Sequence, residues 1–385
     1  MTASIIKDRV AIVGLGETSI GKLIPQSETE LACFAIKAAL DDAGITPEEV
    51  DGLTSFKLEA TEHEDIARYL GMGDVRFFAL SSAGGGGGCS TVGFAAMAIA
   101  TGQCDVAVAW RSRKRSGAEQ RSWNFVPKRV EQRGMWMQPF GIMRPADELA
   151  MLFRRYMHEY GGTREHLCNV AMACRSHANR KPTSIMFEKS LDRETYFGAR
   201  WVSDPLCLYD CCLETDMAQA VVLVSAERAQ DLRHKPVYIH SFAQGITSNS
   251  SMLASCFGED PLHTQGYVCA ERLYRHSDFK PADISVAQIY DSFTPWVLLS
   301  LEAYGFCGRG EGGPFSENGA LQLGGRLPVN TGGGSLSDGY SHGYNHIIEG
   351  VKQMRGNSTS QVENAQACLV TSSDGAPTGA LLLRN

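Results

Sequence analysis

The sequence predicts an α/β sandwich made of two similar halves with a cap inserted in the first. Three observations carry this. The order of apolar runs and helical patterns repeats along the 385 residues. In each half a Pro-acidic turn leads into a strand and a glycine-rich turn feeds a helix. A stretch from about residue 115 to about 200 breaks the repeat. The halves divide as residues 1–235, including the insert, and 236–385.

The first half opens with Val10-Ala11-Ile12-Val13-Gly14-Leu15-Gly16, an apolar run that reads as a buried strand closed by a tight turn. Leu31, Phe34, Ala35, Ala38 and Ala39 recur at helical spacing, so Glu28–Ala43 reads as a helix stopped at Gly44. Thr46-Pro47-Glu48-Glu49-Val50 leads toward a second strand, and Gly84–Gly88 precedes Cys89 and an alanine-rich helix ending near Gly102. Asp105–Trp110 is then a strand. The second half repeats this order. Val237–Phe242 is a strand, Gly266–Arg275 a helix, and Lys280-Pro281-Ala282-Asp283-Ile284 matches the earlier Pro-acidic turn. Val286–Ile289 is the following strand, Gly332–Gly334 the glycine-rich turn, Gly343–Met354 the helix and Cys368–Thr371 the last strand. The insert contains Trp123, Trp136, Pro139 and Pro145, then amphipathic helices around Asp147–Tyr160 and His166–Ala178. Such an insert is placed to cap a site and set its specificity.

Composition narrows the function. The hydrophobic content of 43% supports a sizeable core, and a net charge of −7 argues against a general nucleic-acid or anionic-membrane binder. No window approaches about 18 consecutive apolar residues, so no membrane span is expected. Asp8 and Arg9 follow the start too closely for a secretory signal, and a cytoplasmic location is expected. The 12 cysteines lack paired C-x-x-C spacing and read as buried, reduced side chains. Asp210-Cys211-Cys212 is read as buried structure for the same reason. Gly14-Leu15-Gly16 lacks the third glycine of a dinucleotide loop, since position 19 is Ser. The basic run Arg111-Ser112-Arg113-Lys114-Arg115 stands alone in an acidic chain and reads as lining a ligand route or a subunit edge.

Two segments carry chemistry. Cys89, in Gly86-Gly87-Gly88-Cys89-Ser90-Thr91, sits at a helix start, where unpaired N–H groups favour a thiolate or an oxyanion. The bland alternative is a cysteine kept for packing. The second segment is Asn330-Thr331-Gly332-Gly333-Gly334-Ser335-Leu336-Ser337-Asp338-Gly339-Tyr340-Ser341-His342-Gly343. It resembles the active-site loop of sterol-carrier-type thiolases, with Tyr340 where those enzymes carry the histidine that activates the thiol. A second family histidine, in a His-Asp-Cys-Phe pattern, falls on Tyr290 of Gln288-Ile289-Tyr290-Asp291-Ser292-Phe293-Thr294. The late Cys-x-Gly element falls on Thr371-Ser372-Ser373-Asp374-Gly375 and has no cysteine. A thiol nucleophile needs a base, normally a histidine near pKa ~6.5, whereas tyrosine titrates near ~10. Thiolysis is therefore not expected.

The whole chain resembles the thiolase-like lipid-transfer-protein aldolases of bacterial steroid side-chain degradation. Its specific parts are GGGGGCSTVG, the segment Pro139–Tyr160, Tyr209–Leu213 with Asp216, IYDSFTP and GGGSLSDGYSHG. The resemblance implies a thiolase fold, with duplicated βαβαβαββ halves layered as α-β-α-β-α. It implies retro-aldol cleavage of a 17-hydroxy steroid β-hydroxyacyl-CoA to a 17-ketosteroid and propionyl-CoA, with Tyr290 and Tyr340 as acid/base groups. Cys89 belongs to the same site. Gly88, Asp291, His342, Tyr344 and Gly375 are candidates to line the substrate or hold the enolate oxygen, with His346 a helix-surface residue. CoA is part of the substrate, and no separate cofactor or metal is implied. A homodimer is expected, together with a small partner built from a zinc ribbon and an OB-fold, docked through Trp123, Phe125, Trp136 and Phe140 or leaving those residues to cap the steroid. The chain departs from the family tendency Asp-Gly-Ala-Ala-Ala at Asp216-Met217-Ala218-Gln219-Ala220, which changes the pocket wall there. Two other functions compete: an acyltransferase or thiolase using Cys89, and a scaffold subunit that binds acyl-CoA without chemistry.

Overall fold

A computed structural model describes residues 4–57, 60–81, 87–117, 134–248, 258–373, 375 and 378–385. Its strands are β1 (Val10–Glu17), β2 (Gly52–Phe56), β3 (Phe77–Ser81), β4 (Val106–Arg113), β5 (Trp201–Ser203), β6 (Leu206–Cys207), β7 (Met217–Ser225), β8 (Val237–Gly245), β9 (Val286–Gln288), β10 (Ala367–Thr371) and β11 (Thr378–Arg384). Nine of them form one sheet in the order β3-β2-β4-β7-β1-β8-β11-β10-β9. Read outward from the β1–β8 junction, one half runs 1-7-4-2-3 and the other 8-11-10-9. The expected duplication is thus visible as topology. The junction itself is short, with Ala11 opposite Tyr238 and Ile12 opposite Val237. The counterpart of β3 is reduced to a single parallel bridge between Ala287 and Val329. β7 and β11, which the repeat pattern did not single out, are the antiparallel strands that complete each half.

Three apolar clusters define the layers. Helix α1 (Glu28–Ala43), capped by Ser27 and ended by Gly44 in the left-handed conformation, packs Leu31, Ala35, Ile36 and Ala39 on the outer face of the first half. The middle layer holds α3 (Gly87–Ala100) and α8 (Tyr344–Arg355), with α2 (His63–Leu70) lying outside it. On the far side α4 (Pro145–Tyr160), α5 (Arg164–Ala178), α6 (Gln265–Arg275) and α7 (Thr294–Ala303) cover the second half. The layers therefore run α-β-α-β-α, with the two sheets continuous at one edge. The insert packs into the outermost layer through Leu149, Phe153, Leu167 and Val170, and its packed elements continue through β5, β6 and a 3₁₀ turn at Leu208–Asp210.

One sequence expectation changes here. Gly14 and Gly16 lie within β1 and do not form a turn. A Cβ at either position would stand 2.1 Å from the Ala39 carbonyl oxygen or 1.9 Å from that of Ala35, so glycine lets α1 approach the strand. Arg111 and Arg113 of the basic run are buried on β4, an interior strand of the sheet. Along β4 the period of two sends Ala107 and Ala109 into the middle layer. Arg111 and Arg113 continue that face beyond the core.

Candidate active site

The site forms where the C-terminal ends of β4, β9 and β10 meet the loop before α8. Tyr290 follows β9, and its backbone N–H donates to Thr371 Oγ1 at 3.0 Å, at the end of β10. Tyr340 closes the glycine-rich loop, and its N–H donates to Thr215 Oγ1 at 2.9 Å. These anchors bring the two phenolic oxygens to 3.1 Å, with both rings buried. At the end of the loop the rings of Tyr340 and His342 lie 4.8 Å apart, tilted at 52° to one another.

The loop is held from behind by Asp291. Its Oδ1 accepts from the Ser335 N–H at 2.7 Å and its Oδ2 from the Leu336 N–H at 3.3 Å. Gly334 sits at φ 62° with Asp291 Oδ2 only 2.1 Å from where a Cβ would stand, so glycine is required there. Asn330 Oδ1 accepts from the Ile289 N–H at 2.7 Å, tying the loop to the strand that carries Tyr290. His346, expected on a helix surface, is instead fully buried in α8. Its Nε2 lies 2.9 Å from Asp291 Oδ1 and its ring 6.0 Å from that of Tyr290. The apolar stripe of α8 includes it because the helix is enclosed between the two sheets. The Asp216–Ala220 departures fall on the same loop: Met217 abuts Gly339, and Gln219 Oε1 accepts from Ser341 Oγ at 2.6 Å.

Cys89 is placed differently. Its Sγ donates to the Val370 carbonyl at 3.6 Å, and its side chain is packed in the middle apolar layer. Burial pushes the thiol up to about 12, so the helix-start effect does not prevail. The Cys89 N–H, expected as an oxyanion donor, donates to Ser372 Oγ at 2.9 Å. Gly88 is in close approach to the loop, with His342 O 2.7 Å from the position of a Cβ. Tyr344 hydrogen-bonds Thr91 across the middle layer and is fully buried there. The Gly375 N–H donates to Ser373 Oγ at 2.8 Å within its own turn. Thus Tyr290, Tyr340 and His342 come together, Asp291 supports them, and Cys89, Tyr344 and Gly375 are engaged in packing and backbone contacts. The first three glycines of the GGGGGC run and Asp374 lie outside the described residues. In Asp210-Cys211-Cys212 the carboxylate accepts from Tyr196 Oη at 2.6 Å, Cys207 N at 2.7 Å and Thr294 Oγ1 at 2.8 Å, which is a structural role.

Charge around the pair was missed by motif reading. Arg111 Nε donates to His342 Nδ1 at 3.3 Å, which with burial and the neighbouring guanidiniums keeps that imidazole neutral. Burial pushes the Tyr340 phenol up to about 12, with Arg113 and Arg115 opposing the rise. Tyr290 is pushed well above its usual value by burial, by Tyr340 and by Cys212. Cys212 is anchored by its N–H on the Ser292 carbonyl at 2.9 Å. It also lines an adjoining cavity of about 480 Å³ with Lys22, Arg144, Arg175, Arg200 and Phe293. Their signals in the sequence were the basic run Arg111–Arg115, alternation along one strand and the Tyr209–Leu213 segment that holds Cys212.

Comparisons with known proteins identify the family. The thiolase N-terminal domain family matches residues 10–193, and the thiolase C-terminal domain-like family matches 249–381. A 17-hydroxy-3-oxo-4-pregnene-20-carboxyl-CoA lyase of Mycobacterium tuberculosis is 41% identical over 98% of this chain and 100% of its own length. A steroid side-chain-cleaving aldolase of Thermomonospora curvata is 40% identical over 99% of both chains. The solved structure of an Ltp2-ChsH2(DUF35) aldolase superposes with a TM-score of 0.94 at 40% identity, covering 99% of each chain. With a full-length match at this identity, both thiolase domains and tyrosines facing each other where thiolases place histidines, the chain belongs to the thiolase-like steroid side-chain-cleaving aldolases.

Proposed function

We infer that the protein is a carbon–carbon lyase that splits a 17-hydroxy steroid β-hydroxyacyl-CoA into a 17-ketosteroid and propionyl-CoA. The observation that carries this is the buried Tyr290–Tyr340 contact at 3.1 Å, set where a thiolase would hold its acid/base groups. In the forward step one tyrosine receives the 17-hydroxyl proton as it passes its own across the 3.1 Å contact to the other. The C17–C20 pair moves onto the thioester as an enolate while C17 becomes the ketone. The enolate carbon then takes a proton, which the other tyrosine supplies. The reaction leaves the overall oxidation level unchanged, so it calls for no redox cofactor. Cys89, with its sulfur on a backbone carbonyl and its thiol pushed up to about 12, is poorly suited to the acyltransferase alternative.

The cavity beside Cys212 and Phe293 supports an acyl-CoA substrate, since Lys22, Arg144, Arg175 and Arg200 give it a cationic wall suited to phosphates. Two exposed apolar features support the assembly reading. β3 is a sheet edge that exposes Phe78 and Leu80, which fits a homodimer joined along that edge. Trp136 and Phe140 are exposed on the insert, which fits a DUF35-type OB-fold partner like that named with the Ltp2 relative. Trp123 and Phe125, assigned to the same surface, lie outside the described residues. Among the described residues no helix is long and apolar enough to cross a membrane, consistent with work in the cytoplasm on a CoA thioester.

The deciding experiment incubates the protein with 17-hydroxy-3-oxo-4-pregnene-20-carboxyl-CoA and no free CoA. Release of the ketosteroid with propionyl-CoA is expected. Product formation only on adding CoA would identify a thiolase, and substrate binding without turnover would identify a scaffold.

A further inference from the structure

We propose that His342 is a catalytic residue, a neutral imidazole fixed by Arg111 with its proton on Nε2, which donates a hydrogen bond to the thioester oxygen as the enolate forms. The inference rests on the aldol-cleavage reading and adds to it the group that holds the developing charge.

Arginine N–H groups donate and never accept. The Arg111 Nε–H donates to His342 Nδ1 at 3.3 Å, so that nitrogen offers its lone pair and the one proton of the ring sits on Nε2. A protonated imidazolium has no lone pair to offer and does not fit this contact. The burial of the ring and the arginines around it act in the same direction. Arg111 is fully buried on β4, and its guanidinium lies 5.0 Å from the centre of the Phe56 ring. Phe56 in turn stacks on the imidazole, with centroids 5.2 Å apart and planes at 30°. The imidazole is thus held at one edge and on one face. His342 takes φ 53°, a left-handed conformation that histidine adopts more readily than most side chains, and Gly343 follows at φ 89°. Within this turn the imidazole lies 4.8 Å from the Tyr340 ring, centre to centre.

Nε2 lies across the ring from Nδ1 and so faces away from Arg111. It has no hydrogen-bond partner among the described residues, and it is not sealed in the interior. Other candidate donors are already engaged. The Cys89 N–H is held by Ser372, the Gly375 N–H by Ser373, and the Tyr344 hydroxyl pairs with Thr91. In the substrate the hydroxyl and the thioester oxygen stand on carbons separated by one atom. With the hydroxyl on the tyrosine pair, the imidazole N–H beside it is placed for the thioester oxygen. As the C17–C20 bond breaks, its electron pair becomes the enolate and negative charge moves onto that oxygen, where a preorganised donor counts most. The imidazole keeps its proton throughout, since giving it up would leave an imidazolate. A tyrosine supplies the proton that the enolate carbon takes.

Nitrogen NMR of protein labelled in its histidine rings reads the tautomer directly. At neutral pH the His342 signals, identified by their loss in His342→Asn, should show a pyridine-type Nδ1 and a pyrrole-type Nε2. In Arg111→Met the Nδ1 signal should move to that of a lone pair without a donor. Adding 3-oxo-4-pregnene-20-carboxyl-CoA, which lacks the 17-hydroxyl and cannot be cleaved, should move the Nε2 proton downfield in a saturable way. In turnover, His342→Gln, whose amide reaches the place of Nε2, should keep kcat within about tenfold of wild type. His342→Asn, whose amide reaches only the place of Nδ1, should lose about 10²-fold in kcat, the scale for one oxyanion donor, with KM changing less. Asparagine suits a left-handed backbone, so this variant tests the donor and not the fold. A ring protonated on Nδ1 in the wild type overturns the proposal. So does an unmoved Nδ1 signal in folded Arg111→Met, a Nε2 proton unmoved by bound analogue, or a His342→Asn protein that turns over like wild type. If the wild-type protein does not cleave the 17-hydroxy thioester, the aldolase reading fails on its own, while the nitrogen spectrum and the analogue titration still decide the role of His342.

Discussion

The phenolic oxygens of Tyr290 and Tyr340 lie 3.1 Å apart although the residues are fifty positions apart in the chain. The contact depends on three separate anchors: Thr371 on β10, Thr215 before β7, and the Asp291 carboxylate under the glycine-rich loop. None of these belongs to the tyrosines themselves. The pair is a property of the fold, and replacing either phenol should leave the fold intact.

Tyr290→Phe and Tyr340→Phe each remove one hydroxyl and almost no volume. Each should lower turnover by about 10²-fold or more, the usual scale for a positioned acid or base. The double variant should be little worse than the poorer single variant, because groups acting as a unit do not lose activity additively. Thermal midpoints should change only by what one hydrogen bond contributes, about 1 kcal/mol. Initial rates of ketosteroid release and melting curves check both points, and near-normal turnover in both single variants would sink the tyrosine mechanism.

Cys89→Ala separates scaffold ancestry from present chemistry. The thiol is fully buried, directed at the Val370 carbonyl and pushed up to about 12, so almost none of it is thiolate at neutral pH. Cleavage without an acyl-enzyme should therefore persist within a few-fold, with a modest stability loss of about 1 kcal/mol for the small cavity. Substrate-protected alkylation of Cys89 together with abolished turnover in the variant would instead restore the nucleophile reading.

Much of the fold was legible because the repeat is written in local signals. The helix at Glu28–Ala43, the paired turns at Pro47 and Pro281 and the glycine-rich loops all have short-range causes. The tyrosine positions were legible through likeness of the surrounding motif. The supporting residues were legible only in part. Asp291 stands among the sequence candidates and Cys212 reads as buried, but the hold of Asp291 on the Ser335 and Leu336 N–H groups and the burial of His346 and Arg113 arise across long sequence separations that no local pattern marks. His346 looked like a surface residue because a helix enclosed between two sheets has no polar face to reveal it. The burial of Arg111 and Arg113 was hidden because β4 continues its alternation past Trp110 through charged residues.

The ion pair between Lys181 and Asp338, at 2.8 Å, ties the insert to the loop two residues before Tyr340. Both side chains are buried, and burial lifts Asp338 to about 6 even with the lysine beside it. Lys181→Met leaves that carboxylate without its partner and should cost about 3 kcal/mol or more at pH 8. A carboxyl whose folded pKa is raised binds its proton more tightly folded than unfolded, so its contribution to stability falls as pH rises through that value. Removing the lysine raises the folded pKa further. The deficit of Lys181→Met relative to wild type should therefore be largest at pH 8 and shrink as pH falls toward 5. Adding Asp338→Asn should remove most of the pH dependence, the remainder coming from Glu17, which lies 3.8 Å from the same lysine. Urea midpoints at pH 8, 6.5 and 5 measure this, and a deficit independent of pH would show that the pair is not the cause.

The exposed aromatic residues of the insert give the last prediction. Trp136 and Phe140 are 75% and 79% exposed, on short helical turns just ahead of α4. A partner that covers them binds the folded chain alone, so its stabilisation should follow mass action, about 2.7 kcal/mol at a hundredfold excess over Kd. Titrating the purified chain with a DUF35 protein of the kind named with the Ltp2 relative should raise both the melting temperature and turnover in a saturable way. Trp136→Ala with Phe140→Ala should leave the isolated chain's melting temperature nearly unchanged, because those side chains contribute little to its own core. The same double variant should weaken the partner's effect by tenfold or more in Kd, as expected when aromatic anchors are lost from an interface. Full activity of the chain alone, unchanged on adding the partner, rules out dependence on that protein. A double variant that responds like wild type moves the docking surface elsewhere on the molecule.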